Sequence, residues 1–147
     1  MKKHVELTAT LSNARYQVTN KIGNFEFKAD EPRTVGGDEQ YPQPTSYLLA
    51  ALGSCLVVTI QAMAKIQKVT LSHLSVKVEG ELQSGGLMQS HIQNKFLKIN
   101  IIFNIKSDLS DDAKNNLLLS ASILVRYTIL LKMALNLTGK SSSKTIF

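Results

Sequence analysis

No charged side chain occurs between Glu39 and Lys65. A stretch that long without charge must leave water, and this constrains everything around it. Its centre is residues 44–67, PTSYLLAALGSCLVVTIQAMAKIQ, which hold the sole cysteine, Cys55. Two environments suit such a segment, a bilayer or a protein core. A membrane span takes about 20 predominantly apolar residues. This run barely reaches that, and it carries Gly53, Ser54, Thr59 and Gln61. Strand-like patterns on both sides fit a soluble α+β domain, so the segment reads as a core helix with no membrane partner. Pro42 and Pro44 bias the residues before them toward extended structure, and Pro44 or Thr45 suits a first turn or cap. Leu48, Leu52, Cys55 and Thr59 recur at three- and four-residue spacings and share one face, while Leu49, Leu56, Ile60 and Met63 line another. A helix apolar on nearly all sides needs cover all round, which a chain this short gains most easily by dimerising.

The remaining chain is compatible with that reading. One domain over residues 1–147 is the natural organisation, and an apolar fraction of 44% is ordinary for a globular protein. A single cysteine excludes an internal disulfide and fits a reducing compartment. The opening MKKHVELTAT has lysines but no apolar run after them, so no signal peptide is expected and the cytoplasm is the expected location. The net charge of +6 raises the question of nucleic acid. Its lysines and arginines are scattered, and neither an aromatic RNA-binding signature nor a zinc finger accompanies them. No specific nucleic-acid partner is expected.

Along the chain, residues 5–11 alternate apolar and polar as a strand with one buried face would, through Val5, Leu7, Ala9 and Leu11. Strand character resumes at residues 15–19 and again at Phe25 and Phe27, which predicts a three-stranded meander. Residues 30–43, DEPRTVGGDEQYPQ, read as a surface loop with Gly36-Gly37 as its turn and Asp38 and Glu39 solvated. After the apolar helix, residues 71–82 and 96–105 read as long strands, with a glycine-bearing loop over residues 83–93. Ser107 or Ser110 caps a second helix whose first turn holds Asp111 and Asp112. Its inner face is expected to carry Ala113, Leu117, Ala121 and Leu124, with Gly139 as a plausible stop. The tail is left open between frayed chain and a last short strand.

Asp30, Gly36-Gly37, Pro44 and the run Tyr47-Leu48-Leu49-Ala50-Ala51-Leu52-Gly53-Ser54-Cys55 resemble the signature of the OsmC/Ohr family of thiol-dependent hydroperoxide reductases and their relatives. The resemblance covers nearly the whole chain. It implies curved antiparallel sheets around two central hydrophobic helices in an intertwined homodimer, with active sites at the subunit interface. It also implies a peroxidatic thiolate at the position of Cys55 and an activating arginine at that of Arg15. Two positions depart. Thr45 stands where the peroxide-reducing members have a glutamate, and Ile123-Leu124-Val125 replaces the run that holds their resolving cysteine. Without that second thiol, oxidised Cys55 depends on an outside thiol for its reduction.

A free cysteine on an apolar helix is more often a small core hydrophobe than a nucleophile, and burial raises its pKa. Cys55 lies about three turns into its helix, beyond the reach of the N-terminal dipole. A cation from elsewhere must hold any thiolate, with Arg15 the first candidate and Arg126 the second. His4, His73 and His91 lack the spacing of a metal site, and no cofactor motif accompanies Gly36-Gly37. The expected activity is hydroperoxide reduction through Cys55 in a one-cysteine cycle, with Arg15 at the thiolate and Thr45, Tyr47 and Arg126 around the substrate. Its partners are a second copy of the chain, a small hydroperoxide and an external thiol reductant. The alternative is a non-catalytic dimer that holds a small apolar ligand in its interface cavity. Tyr47 and Tyr127 could frame a pocket near Cys55, but an amphipathic core role is the commoner one for such residues.

Overall fold

The computed structural model describes residue 2 and residues 4–12, 15–83, 95–129 and 135–137, with backbone alone from residue 126 onward. The elements in chain order are β1 (Thr8–Leu11), β2 (Val18–Ile22), β3 (Phe25–Ala29), a 3-10 turn (Arg33–Val35), α1 (Pro44–Ile66), β4 (Leu71–Gln83), β5 (Lys95–Ser107), α2 (Asp111–Ile129) and β6 (Leu135–Leu137). The α+β class and the two helices are as the sequence predicts. The chain divides into two compact units, Met1–Leu48 and Leu49–Phe147.

In the first unit, β1, β2 and β3 form an antiparallel meander, with Leu11 opposite Val18 and Val18 opposite Ala29. The expected buried face of the opening strand is absent. β1 begins only at Thr8, all four of its residues are exposed, and Val5 and Leu7 ahead of it are exposed too. β1 is a four-residue strand at the edge of its sheet, and very short edge strands are a common way of blunting a sheet edge. β2 starts at Val18 rather than residue 15, because Arg15 and Tyr16 form a bend with Arg15 at φ 79°. After β3 the loop folds back on itself: Gly37 N–H donates to Pro32 C=O and Glu39 N–H to Glu31 C=O. Gly37 lies directly on the Glu31 backbone, where an added Cβ would stand 1.9 Å from the Glu31 carbonyl oxygen. Only glycine allows that approach.

The second unit is built on the body of α1. By length and composition α1 could cross a bilayer, but one stripe of it is core: Leu52, Leu56, Ile60 and Ala64 are buried. They recur every four residues and therefore lie on one face. They pack with Ile99, Ile101 and Phe103 of β5 and Leu117, Leu118, Ala121 and Val125 of α2. The two faces predicted for this helix are thus merged into one, and Leu48 lies outside it, 58% exposed. β4 and β5 pair antiparallel over their whole lengths, with irregularities at Leu71/His73 and Glu81/Leu82. The strip along Lys77, Glu79, Lys98 and Asn104 carries the polar residues that alternate with the core-facing ones.

Ser110 caps α2, its hydroxyl accepting from Ala113 N–H at 3.3 Å, and Asp111 and Asp112 follow in the first turn. Two corrections apply to this helix. Val125 rather than Leu124 completes the buried face, because four-residue steps from Leu117 through Ala121 arrive there. The helix also ends at Ile129, and β6 pairs parallel to β5 beyond it, so the second sheet is not wholly antiparallel. Gly139, the tail and most of the predicted 83–93 loop lie outside the described residues.

Replacing Gly37 with alanine must push two backbone segments apart. We expect Gly37→Ala to lower unfolding stability by about 1–3 kcal/mol, the range for overpacking, measured by urea unfolding. Tyrosine fluorescence suits that measurement, since Tyr16, Tyr41 and Tyr47 all belong to the first unit.

Candidate functional site

Cys55 is a free thiol on α1 in the second unit, half-buried and packed against the core cluster of that unit. The other predicted site residues that the structure describes belong to the first unit. Arg15 Nη1 donates to Asp38 Oδ1 at 2.6 Å. The Tyr47 hydroxyl donates to the Lys28 carbonyl at 2.6 Å, and its ring meets Phe27 at a centroid distance of 5.0 Å. Tyr47 thereby fastens the first turns of α1 to β3. Thr45 Oγ1 is 3.5 Å from Gln43 Oε1, a marginal hydrogen bond. Arg126 stands on the last turns of α2, and its side chain, like that of Tyr127, is outside the described residues.

Asp38 is not the solvated loop residue that the sequence suggests. It binds Arg15, and its side chain is 35% exposed against 60% for the arginine. The reason lies eight residues earlier. Asp30 is fully buried, and its carboxylate accepts N–H bonds from Glu31 at 2.8 Å, Gln40 at 3.1 Å and Asp38 at 3.4 Å. Burial pushes the Asp30 carboxyl up. The backbone donors of Gln40, Glu31 and Asp38 and the Gln17 amide outweigh it and hold the group below its ordinary value of 3.8. The Gln17 amide also donates to Gln40 Oε1 at 3.1 Å. A buried carboxylate thus organises the loop from inside. The sequence marks Asp30 only as one letter of a motif, and nothing in its neighbours announces burial.

Among the described residues no group of three or more His, Cys, Asp or Glu converges as a metal site. His4 lies 3.8 Å from Glu6 and His73 3.3 Å from Ser75, both on the surface, and His91 is outside the described residues.

These features define a class: an α+β protein with one half-buried thiol on an apolar helix and an arginine mounted on a carboxylate-organised loop. The OsmC-like protein family profile matches residues 36–123, more than half of the chain, and the protein belongs to that family. No curated protein sequence matches it. Among solved structures it is similar to an OsmC-like protein from Mycoplasma pneumoniae, at 21% identity and a TM-score of 0.77, covering 95% of this chain and 96% of that one. It is also similar to an organic hydroperoxide resistance protein OsmC from Legionella pneumophila, at 17% identity and a TM-score of 0.69, covering 93% and 95%. A third is an organic hydroperoxide resistance protein from Elizabethkingia anophelis, at 15% identity and a TM-score of 0.67, covering 95% of each chain. At these identities the likeness establishes the fold.

Asp30 makes the stability of the protein depend on acid. The unfolded chain protonates this carboxyl near 3.8, the folded chain only at lower pH. The stability it contributes is therefore complete above that value and is lost as pH falls through the folded pKa. We expect wild-type urea midpoints to drop below pH 3.8. Asp30→Asn should start lower at neutral pH and lose less on acidification, because it has no proton to take up.

Proposed function

We propose that this OsmC-like protein is a homodimeric, cytoplasmic hydroperoxide reductase that works through Cys55 with an external thiol as reductant. The observation that carries the reading is the placement of Cys55: a free, incompletely buried sulfur in the apolar helix of the family motif. The names of the Legionella and Elizabethkingia relatives support the substrate class.

In the proposed cycle the Cys55 thiolate attacks the terminal oxygen of ROOH. The S–O bond forms as the O–O bond breaks, and the alkoxide leaves and takes up a proton as ROH. Cys55 is then a sulfenic acid, two electrons oxidised. One external thiol attacks its sulfur, forming a mixed disulfide and releasing water. A second external thiol displaces Cys55 from that disulfide and restores the starting thiol. Arg15 supplies the positive charge for thiolate and peroxide, while Thr45, Tyr47 and Arg126 surround the substrate.

The dimer is supported by what the chain leaves uncovered. Val58 and Ile66 of α1 are 67% and 80% exposed, and Leu119 and Ile123 of α2 are 42% and 46% exposed. A second reading, a dimer that binds a small apolar ligand without chemistry, draws on the packing of Cys55 among core side chains.

Single-turnover oxidation by cumene hydroperoxide, followed by intact-mass spectrometry, decides between the two. We expect wild-type protein to gain one oxygen at Cys55, reversed by dithiothreitol, and Cys55→Ser to consume no peroxide. An unmodified wild-type Cys55 would leave the binding reading. For the dimer, light scattering should give twice the chain mass of 16.2 kDa. Val58→Glu, which places a charge on the exposed face of α1, should shift that mass toward the monomer by tenfold or more in dissociation constant.

A further inference from the structure

Three consecutive residues of the first unit dock on one loop. Arg15 makes its ion pair with Asp38, and the Tyr16 ring edge lies against Gly36, 3.2 Å from where a Cβ would stand. Gln17 donates to Gln40 and to the buried Asp30. The receiving loop is itself fixed. Asp30 holds the backbone of Glu31, Asp38 and Gln40, and Gly37 closes against Glu31. Arg15 has φ 79°, in the left-handed region that favours glycine. Such a conformation persists where the surroundings determine it, and these three contacts are those surroundings.

Asp38 is therefore held from its backbone side by a long N–H bond to Asp30 at 3.4 Å, and presents its carboxylate to an arginine whose side chain is 60% exposed. The contact uses Nη1. A guanidinium carries five N–H donors in a planar fork, so the pair with Asp38 leaves Arg15 able to bind an anion at the same time. A long cationic side chain has many rotamers, and a fixed carboxylate selects among them. We propose that Asp38 is the positioning residue for Arg15, with the Asp30-centred loop as its frame. This rests on the peroxidase reading, in which Arg15 serves the Cys55 thiolate.

The test measures the second-order rate of Cys55 oxidation by cumene hydroperoxide in wild type, Asp38→Asn, Asp38→Glu, Arg15→Gln and the Arg15→Gln/Asp38→Asn double variant. A parallel measurement follows the Arg15 Nε–Hε NMR signal and its relaxation. We expect Asp38→Asn to slow oxidation on the order of tenfold, as small misplacements of catalytic groups do. Asp38→Glu should recover part of that loss, and Asp38→Asn should add nothing once Arg15 is Gln. The Arg15 signal should become mobile in Asp38→Asn. Wild-type rates in Asp38→Asn beside slow rates in Arg15→Gln would overturn the proposal and leave the peroxidase reading intact. An additional loss in the double variant would also overturn it, since Asp38 would then act other than through Arg15. If wild-type Cys55 resists hydroperoxide, the peroxidase reading falls, and an unchanged Arg15 signal in Asp38→Asn would remove the positioning role as well.

Discussion

The apolar helix α1, whose sole charge is Lys65 in its last turn, sets a demand that the chain meets only in part. A helix with apolar residues on most sides is stable in water only when those sides are covered. The second unit covers the stripe Leu52, Leu56, Ile60 and Ala64, and each of the three larger side chains contributes about 1.5–3 kcal/mol by leaving water. Ala51, Ser54, Val58 and Ala62 recur at three- and four-residue steps and remain exposed. Small side chains on such a face let another helix approach closely. The uncovered surface is thus continuous and shaped for contact, which ties the physical need of α1 to the proposed pairing of two copies.

The first unit has a different organising constraint. Its sheet is short and its β1 is wholly exposed, so little apolar burial is available to fix the loop that follows β3. A fully buried carboxylate takes that part. Asp30 receives three backbone N–H bonds, and charge-assisted bonds of this kind are about twice as strong as neutral ones. Removing the carboxylate would leave those donors without their common acceptor. Gly37 follows from the same geometry, because a loop drawn around one carboxylate brings its own backbone segments into contact.

How much of this was legible in the residues depends on the range of the interaction involved. The α1 bounds, the two long strands and the Ser110 cap follow from local pattern, and they fall within a residue or two of their predicted places. The inner face of α1 was misread because apolar residues lie on most of its sides, and the exposed Ser54 and Gln61 mark only part of the outside. The end of α2 was misread for the same reason, since apolar residues continue past Ile129. Residues 5–11 alternate as a half-buried strand does, yet alternation states a preference and cannot supply a layer to pack against. Asp30 and Asp38 depend on partners up to 23 residues distant, as in the Arg15 pair. A loop of Asp, Glu, Gly and Pro reads as solvated until those partners are known.

The single thiol carries a chemical consequence of its own. The dipole of α1 fades within its first turn, well before Cys55. The segment Ile123-Leu124-Val125 offers no second sulfur. Both requirements of a catalytic cycle, charge to stabilise the sulfur and an electron pair to restore it, must then be met from outside the helix. In the proposed cycle Arg15 supplies the first. The second passes to a diffusible thiol, which must reach a sulfur with little exposed surface. Partial burial of Cys55 narrows the approach of that thiol, a constraint that falls on the reduction step of the proposed one-cysteine cycle.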